Sequence, residues 1–88
     1  MPKKILIVED GIPLAFKEAQ ILKKHGFDAV TVPSAGEALK ALERDSIDLI
    51  LMDIDLGKNE SAGAEAARAI LKNYTIPIIF ITGHAEKE

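Results

Sequence analysis

Two short apolar runs that end in carboxylates constrain this sequence most strongly. Residues 5–8 (Ile-Leu-Ile-Val) lead directly into Glu9 and Asp10, and residues 49–52 (Leu-Ile-Leu-Met) lead directly into Asp53, with Asp55 two residues on. Short apolar runs of this kind predict buried β-strands. In an open parallel sheet, ligands bind outside the carboxyl ends of the strands, which share one edge. The sequence therefore predicts carboxylates crowded at one edge of a sheet, and like charges held close favour a bound divalent cation.

Helix signals separate these two runs from two further strand candidates. Pro13 suits the first turn of a helix, and Gly26 suits the position just after a helix ends. Ser34, with Glu37 three residues later, predicts a capping box at the start of a second helix. The predicted strands are residues 5–8, 27–32, 47–52 and 78–81, and the predicted helices are residues 14–24, 35–42 and 64–71. Strands that alternate with helices indicate an α/β fold with a parallel sheet and right-handed crossovers.

Composition narrows the classes of function. A length of 88 residues predicts one domain, residues 1–88, and a net charge of −3 argues against a nucleic-acid interface. The absence of cysteine excludes disulfides and thiolate metal sites. No apolar run approaches the length of a membrane span, and the run after Lys4 is too short for a secretory signal. We therefore expect a cytoplasmic protein that binds neither nucleic acid nor membrane directly.

Four segments in the correct order resemble the receiver domains of two-component response regulators. They are residues 4–10 (KILIVED), 48–54 (DLILMDI), 63–67 (GAEAA) and 77–83 (PIIFITG). Each segment alone is a weak match, and the four together are specific. The resemblance covers the whole chain and implies a doubly wound, flavodoxin-like sheet with the strand order 2-1-3-4. The family's fifth strand and last helices have no counterpart here, so we interpret the chain as a receiver cut short before the fifth strand.

The resemblance also implies roles for the site residues. Asp53 would accept a phosphoryl group from a histidine kinase or phosphotransfer protein, and Thr82 would be the switch that contacts a phosphoryl oxygen. Mg²⁺ would bind Asp10, Asp53 and the backbone carbonyl of Asp55, while Glu9 would hold a metal-bound water. Such a domain is a signalling module rather than an enzyme, although it takes part chemically in its own phosphorylation and dephosphorylation.

Three other interpretations stay open on the sequence. The acidic residues could be solvated loop carboxylates or helix caps, although the ordered motifs favour the functional interpretation. The family's phosphoryl-contacting lysine ends the missing fifth strand, so the chain could instead be a phosphorylation-deficient interaction module. Residues 78–81 would then form an apolar edge strand without an internal charge or proline, and we expect self-association through that edge. A nucleotide- or flavin-binding domain is the weakest alternative, because no glycine-rich phosphate loop follows the first strand.

Overall fold

Strands and helices alternate along the chain, as the sequence predicts. A computed structural model describes residues 2–53 and 62–81. The strands are β1 (Lys4–Val8), β2 (Asp28–Val32), β3 (Leu49–Asp53) and β4 (Ile78–Ile81), and the helices are α1 (Ile12–Lys24), α2 (Ala35–Arg44) and α3 (Ala62–Leu71). The strands form one four-stranded parallel sheet in the order β2-β1-β3-β4. This is the predicted doubly wound arrangement and the predicted strand order.

The third strand differs most from its predicted boundaries. Pairing with β1 begins at Leu49, opposite Ile5, so Ile47 lies before the strand although its side chain is buried in the core. At the other end the strand includes Asp53, which pairs with Ile81 of β4. Pairing of β3 with β1 ends at Met52, so it is the pairing with β4 that holds the backbone of Asp53 in place.

Local signals set the helix ends. Pro13 lies in the first turn of α1, which begins two residues earlier than predicted. Gly26 follows the end of α1 with a φ of +92°, in the left-handed region that favours glycine. At the start of α2, the Ser34 hydroxyl oxygen accepts a hydrogen bond from the Glu37 amide at 3.3 Å. The predicted N-terminal cap of α2 is therefore confirmed.

Apolar side chains cover both faces of the sheet. Alternate residues of β1 point to opposite faces, so Leu6 and Val8 face α2 and α3, whereas Ile5 and Ile7 face α1. The larger cluster comprises Leu6, Val8, Val32, Ala38, Ala41, Leu42, Ile47, Ile50, Met52, Ala66 and Ile70. The smaller comprises Ile5, Ile7 and Ala19. Burial on both faces explains why the strand sequences are almost continuously apolar.

The cover is thinnest at β4. Ile79 is 49% exposed and Phe80 is 45% exposed, although both belong to a strand of the sheet. Leu51, the partner of Ile79 in β3, is only partly buried.

None of the helices within the described residues is long and apolar enough to cross a membrane.

Two neighbouring residues of α3 provide a test of this core. Ile70 is fully buried in the larger cluster, whereas Leu71 is 56% exposed. Ile70→Ala should lower the free energy of unfolding by about 2–5 kcal/mol, because it removes buried methyl groups and leaves a cavity. Leu71→Ala, the matched control, should change it by less than about 1 kcal/mol. Urea unfolding followed by circular dichroism measures both, and equal losses would contradict the packing described.

Candidate metal centre

Three carboxylates meet at the carboxyl ends of β1 and β3. Glu9 and Asp10 directly follow β1, and Asp53 ends β3. These two strands are adjacent and parallel, with Val8 opposite Met52, so Glu9 comes to lie beside Asp53. Each of the three residues offers one carboxylate oxygen, and these oxygens all lie within 4.8 Å of one another. The structure thus brings together Glu9, Asp10 and Asp53, as the sequence predicts.

The three carboxylates differ in their exposure. Glu9 is 6% exposed and Asp53 is 5% exposed, and they are the buried charged residues of the described part of the chain. Asp10, by contrast, is exposed. The group is therefore an acidic pocket in which Glu9 and Asp53 are buried and Asp10 is exposed to solvent. Oxygen donors in this number and arrangement suit Mg²⁺, which binds one or two carboxylates and keeps several waters.

Gly11 leaves room for the Glu9 side chain to turn back and accept a hydrogen bond from the main chain. The Gly11 amide donates a hydrogen bond to Glu9 Oε2 at 2.9 Å. A Cβ atom at position 11 would lie 3.1 Å from the same oxygen, closer than side chains normally tolerate. The Glu9 amide donates to the Val32 carbonyl at 3.0 Å, which ties the residue to the end of β2. The absence of a side chain at Gly11 therefore leaves room for the Glu9 carboxylate.

Electrostatics in the pocket disfavour the fully ionised state. The pKa of the Glu9 carboxyl is raised from 4.5 to about 7, mainly by burial; the hydrogen bond from the Gly11 amide opposes this rise, and the charges of Asp53 and Glu18 contribute to it. Burial also raises the pKa of Glu18, with Asp53 as the second cause. A divalent cation among these groups would favour their charged forms.

Sequence reasoning missed Glu18, which lies in α1 near this pocket. A glutamate in a helix ordinarily indicates a solvated face. Here the buried residue Ala15 lies three positions before it, a spacing that shares a helix face, and the buried residue Ala19 follows it directly. That spacing was the available signal, but the loose apolar pattern of α1 did not identify which face is buried.

Two residues of the predicted site cannot be compared with the structure. Asp55 and Thr82 lie outside the described residues. The metal-binding carbonyl of Asp55 and the switch hydroxyl of Thr82 therefore stay predictions.

Comparison with known proteins identifies the family. The family model of the response regulator receiver domain matches residues 5–88. The chain belongs to the response regulator receiver domain family, and the resemblance found in its sequence motifs is confirmed. This family takes part in two-component signalling.

Solved structures give the same answer for the fold. The N-terminal domain of a response regulator/sensory box/GGDEF three-domain protein from Carboxydothermus hydrogenoformans is 38% identical, with a TM-score of 0.86, over 97% of this chain and 68% of that one. The BeF₃-activated N-terminal receiver domain of Klebsiella pneumoniae RstA is 29% identical, with a TM-score of 0.83, over 97% of this chain and 71% of that one. A fusion containing part of the yeast Spc42 trimeric coiled coil is 38% identical, with a TM-score of 0.87, over 98% of this chain. The chain spans 56% of the length of that fusion.

The raised pKa of Glu9 predicts how stability depends on pH. In metal-free buffer, folded Glu9 keeps its proton up to about pH 7, whereas the unfolded chain releases it near pH 4.5. Its contribution to stability is therefore full below pH 4.5 and is lost as the pH rises to about 7. Urea unfolding of the parent and of Glu9→Gln, with EDTA and over this pH range, measures that contribution as the difference between the two proteins.

Glu43→Gln, which neutralises an exposed carboxylate on α2, should follow the parent at every pH. Added Mg²⁺ should restore stability to the parent above pH 7, because it favours the ionised carboxylates. A parent-minus-Glu9→Gln difference that does not change with pH would contradict the electrostatics described.

Proposed function

We propose that this chain is a phosphoryl-accepting receiver module, in which Asp53 takes a phosphoryl group from a histidine kinase or phosphotransfer protein and Mg²⁺ binds at the acidic pocket. One observation carries the proposal: Asp53, 5% exposed at the end of β3, lies with a carboxylate oxygen within 4.8 Å of oxygens of Glu9 and Asp10. The family, whose model matches residues 5–88, supports the same assignment.

The residues of the pocket suit this chemistry. A carboxylate oxygen of Asp53 would attack phosphorus as the nucleophile, as in other aspartyl-phosphate proteins, while the bond between phosphorus and the donor histidine nitrogen breaks and the imidazole leaves. Phosphoryl transfer depends mainly on alignment and on neutralisation of the transferred oxygens, and a bound Mg²⁺ supplies that neutralisation. Asp10 and Asp53, with the Asp55 carbonyl, would hold the ion, and Glu9 would hold a water bound to it.

The exposure of the pocket residues fits an intermolecular reaction. Pairing with Ile81 of β4 holds the Asp53 backbone in place, which keeps the nucleophile aligned. Asp10 lies at the solvent-facing side, where the donor protein would approach. The Thr82 hydroxyl would bind a phosphoryl oxygen and report phosphorylation.

We further propose that residues 1–88 act as one domain in the cytoplasm.

Phosphorylation of Asp53 provides the direct test. Treatment with acetyl phosphate and Mg²⁺ should label Asp53, and mass spectrometry of peptides should locate the label there. Asp53→Asn should abolish labelling, because the amide cannot act as the nucleophile. The neighbouring Asp48→Asn is the matched control and should label like the parent, since Asp48 lies at the opposite end of β3, where it accepts a hydrogen bond from the Lys4 amide.

The Asp10→Ala variant removes a proposed metal ligand and keeps the proposed nucleophile. It should abolish both the stabilisation of the parent by Mg²⁺ and the labelling of Asp53, while Asp53 itself stays in place. Label on a residue other than Asp53 would refute the assignment. A parent that gains no thermal stability from millimolar Mg²⁺ would show that the pocket does not bind the ion.

We propose self-association through β4 as a second function, carried by the exposure of this strand. Within the described residues, β4 pairs with β3 on one side only. Its side chains are all apolar, and Ile79 and Phe80 are about half exposed. An apolar edge strand without charge or proline is a template for pairing with another strand. A second copy of the chain would supply such a strand by edge pairing or by exchange of elements.

Sedimentation velocity at micromolar concentration tests this second function. The 88-residue chain should sediment as a dimer or larger species. Ile79→Lys should shift it toward monomer, because a charge would be buried in the new pairing. Ile21→Lys is the matched control, since Ile21 on α1 has the same exposed fraction of 49% as Ile79. A folded, strictly monomeric parent would refute the proposal.

A further inference from the structure

Glu18 is a carboxylate in an unusual position on α1. It is half-buried, and the buried residues Ala15 and Ala19 adjoin it on the helix. Its Oε1 atom is shielded from solvent and has no hydrogen-bond partner within the described residues. A shielded polar atom without a partner destabilises a fold, so an apolar residue would be the stable choice at this position.

The position of Glu18 on α1 directs it away from β2. A groove of about 430 Å³ lies between α1 and β2, and α1 contributes Ile12, Ala15, Phe16, Ala19 and Lys23, but not Glu18, to its lining. Residues two apart on a helix point roughly 200° apart, so Glu18 projects from the side of α1 opposite to Phe16. On that side it interacts electrostatically with Asp53 of β3.

The charge of Glu18 reaches the acidic pocket. Asp53 raises the pKa of Glu18, and Glu18 in turn raises the pKa of Glu9. Glu18 does not belong to the group of three whose oxygens lie within 4.8 Å of one another. It therefore acts on the pocket through space, as a charge outside that group of three.

We propose that Glu18 is a positioning residue for the acidic pocket: its negative charge strengthens binding of a divalent cation among Glu9, Asp10 and Asp53, and weakens retention of an anionic phosphoryl group on Asp53. This inference rests on the function proposed above. Its physical basis is the sign of the charge, since one fixed carboxylate attracts the cation and repels the anion that share the pocket. Glu18 thereby favours the metal-loaded, unphosphorylated state.

The test uses the neutral isostere Glu18→Gln at about pH 8.5, above the pKa of about 7 of the Glu9 carboxyl. Isothermal titration calorimetry measures the affinity for Mg²⁺. Titration with beryllofluoride at saturating Mg²⁺, followed by fluorine NMR, measures the affinity for a phosphoryl mimic. Glu18→Gln should weaken Mg²⁺ binding about five-fold and tighten beryllofluoride binding about two-fold, because the cation carries two charges and the anion carries one.

Two control variants distinguish charge from structure. Glu43→Gln removes the same charge from an exposed position on α2 and should leave both affinities at the values of the parent. Glu18→Asp keeps the charge and should keep Mg²⁺ affinity close to that of the parent. Thermal melting of each variant establishes that it folds.

The direction of the two changes decides the outcome. Opposite changes in Glu18→Gln support the inference, because damage to the pocket would weaken both ligands together. Weakening of both ligands, or no change in either, would overturn it while leaving the proposed function intact. A parent that binds neither Mg²⁺ nor beryllofluoride would instead refute the proposed function, and the role of Glu18 with it.

Discussion

The parallel pairing of β1 with β3 is the interaction on which the rest of the structure depends. It sets Val8 opposite Met52, and so carries the residues that follow β1 to the side of Asp53. The pairing lies at the centre of the sheet, with β2 and β4 outside it. A slip of one residue in this register would turn Asp53 to the other face of the sheet and separate the carboxylates. Because Leu6 and Ile50 are fully buried on one face, burial opposes such a slip.

The apolar strands are stabilised by the exclusion of water, whereas the carboxylates of the acidic pocket are destabilised by it. The strands exclude water, which stabilises the sheet but also raises the pKa of the Glu9 carboxyl above its usual range. Local polar contacts offset part of this destabilisation of the Glu9 carboxylate, and the hydrogen bond from the Gly11 amide is one of them. The fold also leaves Asp10 exposed, so one side of the pocket is open to solvent. Carboxylates that are destabilised when no cation is present are stabilised when a cation binds among them.

Much of this architecture could be predicted from the sequence, because its signals are local. Apolar runs, Pro13, Gly26 and Ser34 determine the elements, and alternation of strands with helices determines the parallel sheet. The meeting of Glu9 with Asp53 followed from strand ends alone. The start of β3 could not be predicted, since Ile47 is as apolar as the strand and only pairing with β1 excludes it. Glu18 was missed because the burial of a helix face depends on tertiary packing.

The pairing of Ile81 with Asp53 joins the edge of the sheet to the pocket. The last residue of β4 lies beside the residue proposed to accept the phosphoryl group, so strand pairing connects β4 directly to the pocket. Any partner whose binding shifts the end of β4 would alter the surroundings of Asp53, and by thermodynamic linkage a ligand in the pocket would alter the affinity for that partner by the same factor. Assembly through the edge strand, as proposed, would therefore be coupled to ligand binding at the acidic pocket.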